Sequence, residues 1–189
     1  GTVYLDVSFY EKALEYHSKS LAIKEELGSS TLSTSFNNIG LVYYKIGDPD
    51  KAEEYYNKAL RLKLEEGDTS SCISTYINLG LAFSEQNDKA KYDKAIDYFQ
   101  KAIVLAKNHN VFHRIGFSYN GLAKVYADLQ QYDSAKYYIH LSNEESYKNK
   151  YLVLESSNYY LLAKIAYHEQ NFDLALRDLS RSMVLLEML

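Results

Sequence analysis

Small and apolar residues recur along this chain at spacings of three, four and seven, the signature of one face of an α-helix. Five alanines anchor the pattern, Ala13, Ala52, Ala95, Ala135 and Ala175, at intervals of 39, 43, 40 and 40 residues. Three residues before them stand Tyr10, Pro49, Tyr92, Tyr132 and Phe172. Four residues after stand His17, Tyr56, Phe99, Ile139 and Leu179, and seven after stand Ser20, Ala59, Ala102, Ser142 and Ser182. Small side chains at the anchor and serine places let a second helix approach closely, and the larger ones fill the remaining space. A second stripe precedes each of the last four anchors: Phe36-x-x-Ile39-Gly40-x-x-Tyr43, Tyr76-x-x-Leu79-Gly80-x-x-Phe83, Tyr119-x-x-Leu122-Ala123-x-x-Tyr126 and Tyr159-x-x-Leu162-Ala163-x-x-Ala166. Short polar turns separate the two stripes at Gly47-Asp48, Asn87-Asp88, Gln130-Gln131 and Gln170-Asn171. Asp48 before Pro49 reads as an N-cap followed by proline at the first helical position. The 43-residue interval comes from three extra residues within 87–91.

The unit is therefore helix–turn–helix, repeated in register. In this it resembles the tetratricopeptide repeat family, whose pattern is aromatic-x2-Leu-Gly-x2-Tyr followed by Ala-x3-Phe. The resemblance implies an all-α fold, a right-handed superhelical array of antiparallel helix hairpins (an α-solenoid) with about four and a half units. One array is expected over residues 1–189, with units at 1–29 (partial), 30–68, 69–112, 113–150 and 151–189. The period near 40 exceeds the family's usual 34, and Ala59 to Tyr76 spans 17 residues, so both helices should be longer than usual. The long form is similar to the repeats of kinesin light chains, Pins-type spindle-orientation proteins and bacterial peptide-sensing regulators. Asn37-Asn38-Ile39-Gly40-Leu41 with Tyr43-Tyr44 carries that likeness.

The ends depart from a closed array. Only residues 1–6 stand where a whole first helix belongs, with Tyr4 at the place of Tyr43. The chain stops after Met183-Val184-Leu185-Leu186 without the polar capping helix that arrays normally carry. The expectation is a piece of a longer protein, with Gly1 a cloning remnant.

Composition narrows the function. With 47% apolar and 24% charged residues, one Pro and eight Gly, the chain has the makings of an ordered helical protein. The net charge of −4 and the lack of a basic cluster argue against nucleic-acid binding. No apolar run reaches membrane-spanning length and no signal peptide opens the chain. The lone Cys72 allows no internal disulfide and leaves the compartment, cytoplasmic or periplasmic, undecided. Signals for chemistry are weak. Gly116-Phe117-Ser118-Tyr119-Asn120-Gly121 has one residue too many for a nucleophile elbow and lies in a helical stripe. His109 and His113 have the spacing of two metal ligands, but asparagines flank His109 and no third ligand is apparent. No enzyme, cofactor or metal is expected.

What remains is binding. In a stacked array the first helices line a concave wall, and residues beside the Gly40-type position point into it. The candidates are Asn37, Asn38, Leu41 and Tyr44, then Asn78 and Leu81, then Asn120 and Lys124, then Tyr160, Lys164 and Tyr167. In the long-repeat relatives, asparagines of this kind hydrogen-bond a bound peptide. An Asn amide offers donors and an acceptor, so it matches a peptide unit without charge; the alternative is that it bonds within the array. The lysine of the family's carboxylate clamp is missing, since Asn37 and Ile77 occupy its place. Lys45, Lys124 and Lys164 against Glu85 and Asp128 make a mixed groove suited to an uncharged or amphipathic peptide. Of the 20 tyrosines, most are expected to pack between helices, with Tyr44, Tyr160 and Tyr167 facing the groove. The chain is read as a protein- or peptide-binding scaffold. The alternatives are the ligand-sensing input domain of a bacterial signalling regulator (histidine kinase or transcription regulator), and self-association through the uncapped last unit.

Overall fold

Each periodic stripe folds as a helix, and each polar turn as a break between two. The computed structural model describes residues 2–29, 31–86 and 88–189, with the side chains of residues 2–8 and of His113 outside the description. The expectations for Gly1, for the Tyr4 side chain and for Asn87 therefore lie outside the described residues. Among the described residues there are nine α-helices and no strand: α1 Thr2–Glu26, α2 Leu32–Ile46, α3 Pro49–Glu65, α4 Thr69–Ser84, α5 Lys89–Asn108, α6 Ile115–Asp128, α7 Tyr132–Asn149, α8 Leu152–His168 and α9 Phe172–Glu187. Pairs α2–α3, α4–α5, α6–α7 and α8–α9 are the tight hairpins, and each hairpin packs on the next through its first helix.

The turns follow from local chemistry. Asp48 accepts a hydrogen bond from the Lys51 N–H at 3.0 Å, with Pro49 opening α3 as expected. Asp68 and Asn171 cap α4 and α9 in the same way. At the end of α2, Gly47 takes φ 87°, and the Gly47 and Asp48 N–H groups bond back to Tyr44 and Tyr43 carbonyls, which satisfies two orphan acceptors. Gln130 and Gln170 take the same left-handed turn, at φ 59° and 60°, without glycine. The extra residues near 88 lengthen a helix instead of a loop: Asp88 caps Ala90, and α5 runs for 20 residues. The partial first unit is a single continuous helix of 25 residues. Residues 6–10 contain neither Gly nor Pro to break it.

The core is the set of faces the stripes mark out. Ala52, Ala95 and Ala135 are buried, as are Tyr56, Phe99 and Ile139 four residues on. Close approach explains the glycines of the first helices: a Cβ on Gly80 would stand 2.5 Å from the Phe99 ring, and one on Gly121 would meet that same ring from the next unit. Paired helices also share stacked rings, Tyr43 on Tyr55 with centroids 5.4 Å apart, Phe83 on Tyr98 at 6.0 Å and Tyr126 on Tyr138 at 5.4 Å. These contacts place many of the tyrosines between helices, where an amphipathic ring suits a half-buried site. Cys72 is buried in α4, as a small core residue. His109 ends α5, and His113 falls in the short 3₁₀ turn Phe112–Arg114, so the two do not share a helix.

Candidate functional site

First helices of successive hairpins pack on one another, α4 on α6 and α6 on α8, while among the described residues the second helices show no comparable packing. The first helices therefore form the inner wall and the second helices the outer one.

Asn37 and Asn120, expected on that wall, are engaged inside the array. Asn37 Oδ1 accepts from Thr75 Oγ1 at 3.2 Å and from Lys63 Nζ at 3.4 Å. Asn120 Nδ2 donates to Asn158 Oδ1 at 2.7 Å and to Ser157 Oγ at 3.1 Å. Both bonds join the residue after a stripe's leading aromatic to the residue before the next one. That latter position is polar in every unit, Ser35, Thr75, Ser118 and Asn158, although it faces another helix. A lysine on the preceding second helix serves it twice, Lys24 at Ser35 (2.9 Å) and Lys63 at Thr75 (2.7 Å). Lys63 is buried, and burial pulls its ammonium below the usual lysine range. At the third joint Ala106 replaces the lysine and Ile77 replaces the asparagine. The Ser118 hydroxyl is accordingly buried without a hydrogen-bond partner among the described residues.

Asn38 and Asn78 differ from this pair. They are half-buried, and their amides make no hydrogen bond among the described residues. Leu41 is exposed beside them, and Leu81 is half-buried against the core. Tyr44 donates to Glu85 at 2.8 Å, joining α2 to α4; burial, then that carboxylate, raises its hydroxyl well above the ordinary tyrosine range. Lys45 lies over the Tyr44 ring at 4.7 Å.

The other candidates converge further along. Asn120, Lys124, Tyr160 and Lys164 line an inner-wall cavity of about 470 Å³ together with Glu85 and Asp128. Its two lysines are held unequally. Lys164 is paired with Asp128 at 2.5 Å, whereas Lys124 stands 3.8 Å from Glu85, whose same oxygen already accepts from Tyr44. Lys124 is therefore the cation more open to a ligand's acceptor. Tyr167 does not reach this cavity; with Tyr160 and Lys164 it lines another between α8 and α9. Ser84, Ser157 and Leu161 also line the inner cavity. Of these, Ser157 had a sequence signal, the polar run Ser156-Ser157-Asn158 ahead of a stripe. Among the described residues no group of three metal-ligating side chains forms, and no helix is long and apolar enough to cross a membrane.

Comparison with known proteins agrees with this architecture. Response regulator aspartate phosphatase I of Bacillus subtilis (strain 168) is 27% identical over 89 residues, 47% of this chain and 22% of that protein. The match thus spans less than a quarter of the relative. The crystal structure of BtubC (BKLC) from P. vanneervenii superposes with a TM-score of 0.70 at 18% identity, covering all of this chain and 75% of that one, a likeness of fold. Two profiles described as tetratricopeptide repeat match residues 1–65 and 75–110, just over half of the sequence. With the paired helices and glycine-to-ring contacts above, these matches establish that the chain belongs to the tetratricopeptide repeat family.

Proposed function

We propose that the inner wall holds an extended segment of a partner protein, uncharged or amphipathic, and that the chain works by binding and not by catalysis. The observation that carries this reading is the inner-wall cavity of about 470 Å³. It combines an exposed tyrosine ring with one loosely paired lysine. Its lining is mostly polar, with Tyr160 and Leu161 supplying the apolar surface, so it suits a segment that brings hydrogen-bonding groups as well as a side chain to pack. Asn38 and Asn78, whose amides lack partners among the described residues, extend it along α2 and α4 with Leu41, Tyr44 and Leu81. Asn37 and Asn120 shape the wall from behind, through their bonds to the next unit. Because Lys164 is neutralised by Asp128, the wall does not favour a strongly acidic ligand.

The test uses peptides selected against the immobilised chain from a random display library. Changing Asn38 and Asn78 together to Ala, or Lys124 to Ala, should weaken the selected peptides by roughly tenfold or more, with the melting temperature held. Full affinity in both variants would overturn the groove reading.

A second reading is favoured by the Bacillus relative, whose name ties it to response regulators. In it, the array is the recognition part of a signalling regulator. Calorimetric titration of the chain with purified receiver domains checks it, and absence of heat across a panel from one genome would count against it.

A further inference from the structure

Beyond the inner-wall cavity, α6 begins with an aromatic residue that no other unit carries at that place. Phe117, Asn120 and Lys124 are spaced three and four apart and so share one face of α6. Asn120 and Lys124 line the cavity. Phe117 lies past them, about 10 Å from Lys124 along the helix axis. The equivalent residues of the other first helices are Thr34, Ser74 and Ser157, all small and polar. Phe117 is 36% exposed although the hairpins α4–α5 and α8–α9 stand on both sides of it. Its ring meets that of Tyr151, at the head of α8, with centroids 5.5 Å apart. Phe112, in the short turn before α6, is 46% exposed. Unpaired cations accompany these rings. Arg114 stands one turn before Phe117, and Lys150 directly precedes Tyr151. Both are exposed, and neither is in an ion pair among the described residues. Of the carboxylates in the last turn of α7 and the first turn of α8, Glu145 pairs with Lys148 at 2.9 Å and Glu155 is buried. Lys150 takes φ 55°, the left-handed backbone that Gly28, Gly67 and Asn110 take at the preceding joints. Gly or Asn suits that conformation better, so what the lysine adds at this joint is charge.

We infer that this ring pair anchors the partner segment held by the inner wall, through an apolar side chain with an acidic one next to it in sequence. The aromatic or branched aliphatic side chain packs on Phe117 and Tyr151, and the aspartate or glutamate is drawn to Arg114 and Lys150. The inference rests on the groove reading above and gives that segment its chemistry and direction. The anchored pair lies about three residues of extended chain from the residue at Lys124. Aromatic rings supply contact area at little cost in side-chain freedom, and cations at a rim select and steer a carboxylate. A single acid beside an apolar residue keeps the segment amphipathic, as the paired Lys164 requires.

The probe is the tightest peptide selected from the random display library, titrated by fluorescence anisotropy at low and high salt. Selected peptides should be enriched in an aromatic or branched aliphatic residue next to Asp or Glu. Phe117→Ser, which installs the residue type of the other units, should weaken binding at least tenfold with the circular dichroism unchanged. Arg114→Gln with Lys150→Gly should weaken it severalfold and flatten its salt dependence. Lys150→Gly suits the turn, so this pair keeps the test sound should Phe117→Ser disturb the fold. Changing the acidic residue of the peptide to Lys should abolish binding, and Arg114→Glu with Lys150→Glu should restore it. Peptides without the acidic–apolar pair, or full affinity in both sets of variants, would overturn the inference. The groove reading would still stand if Lys124→Ala and the Asn38/Asn78 change weaken the same peptide. The converse pattern, loss at Phe117 with those two variants intact, would uphold the anchor and overturn the groove reading. A dimer in sedimentation equilibrium that Phe117→Ser dissolves, or competition by a single-stranded oligonucleotide, would also overturn the inference, because the rings would then serve a second copy or a nucleic acid.

Discussion

Tyr56 is fully buried, and its hydroxyl has no hydrogen-bond partner among the described residues. Phe99 and Ile139 stand at the same place in the next two units and carry no polar atom. A buried donor left unpaired costs about 1–3 kcal/mol, and Phe retains the ring that packs on Gly40. Tyr56→Phe should therefore stabilise the chain by roughly 1–2 kcal/mol, read as a higher urea midpoint at unchanged slope. A lower midpoint would mean that the hydroxyl is bonded. Single-residue chemistry of this sort is poorly legible in the sequence. The polar column Ser35, Thr75, Ser118 and Asn158 is plain once aligned. Yet a polar residue on a packing face leaves the same periodic mark as one facing water. The same ambiguity covers Asn37 and Asn38. They are adjacent in sequence and alike in type, but only the first finds partners in α3 and α4.

At the scale of the helix pair, the sequence is far more explicit, because the rule that joins two helices is steric and repeats. Ala95 and Ala52 are fully buried between paired helices. Their methyls set how closely the helices approach, so added bulk has nowhere to go. Replacing either with Leu should cost roughly 1–3 kcal/mol through overpacking. Thermal melts followed by circular dichroism measure this, and unchanged melting for both would refute the face assignment. The turns were only partly legible. Asp48-Pro49 announces its cap, but Gln130 and Gln170 reach the left-handed conformation without the residue that usually signals it. There the Gln131 and Asn171 N–H groups return to Tyr126 and Ala166 carbonyls at 2.8 and 2.9 Å. Those bonds offset a backbone cost of about 1–2 kcal/mol for a residue with a Cβ.

Over the whole molecule, the tyrosines that join the helices also set the response to alkali. Burial, foremost, raises the hydroxyls of Tyr44, Tyr56, Tyr92, Tyr98 and Tyr138 above their ordinary 10.0. Tyr147 is pushed up to about 12, first by its hydrogen bond with Tyr159. Each such group keeps its proton in the folded state at a pH where the unfolded chain releases it. Its contribution is complete below pH 10 and is lost as pH rises through the folded value. Lys63 acts in the opposite sense. Burial lowers it from 10.5, so the unfolded state binds the extra proton, and this lysine alone would make stability rise with pH just below 10.5. Cys72, raised by burial from 9.0, and Lys58 and Lys148, raised by their carboxylate partners, act in the tyrosines' direction. One lysine therefore does not reverse the sign: stability should be level to about pH 9, slope gently as the thiol titrates, and fall once the tyrosines join above about pH 10. For a group as buried as Tyr56 the limiting slope is about 1.4 kcal/mol per pH unit. Urea unfolding at intervals from pH 8 to 11.5, with tyrosinate absorbance recorded alongside, tests this. The midpoint should drop above pH 10 as absorbance rises in step with unfolding, and Tyr56→Phe should make the drop shallower. A midpoint that stays level or climbs to pH 11.5 would mean that these rings reach water in the folded array, against the packing that pairs the helices.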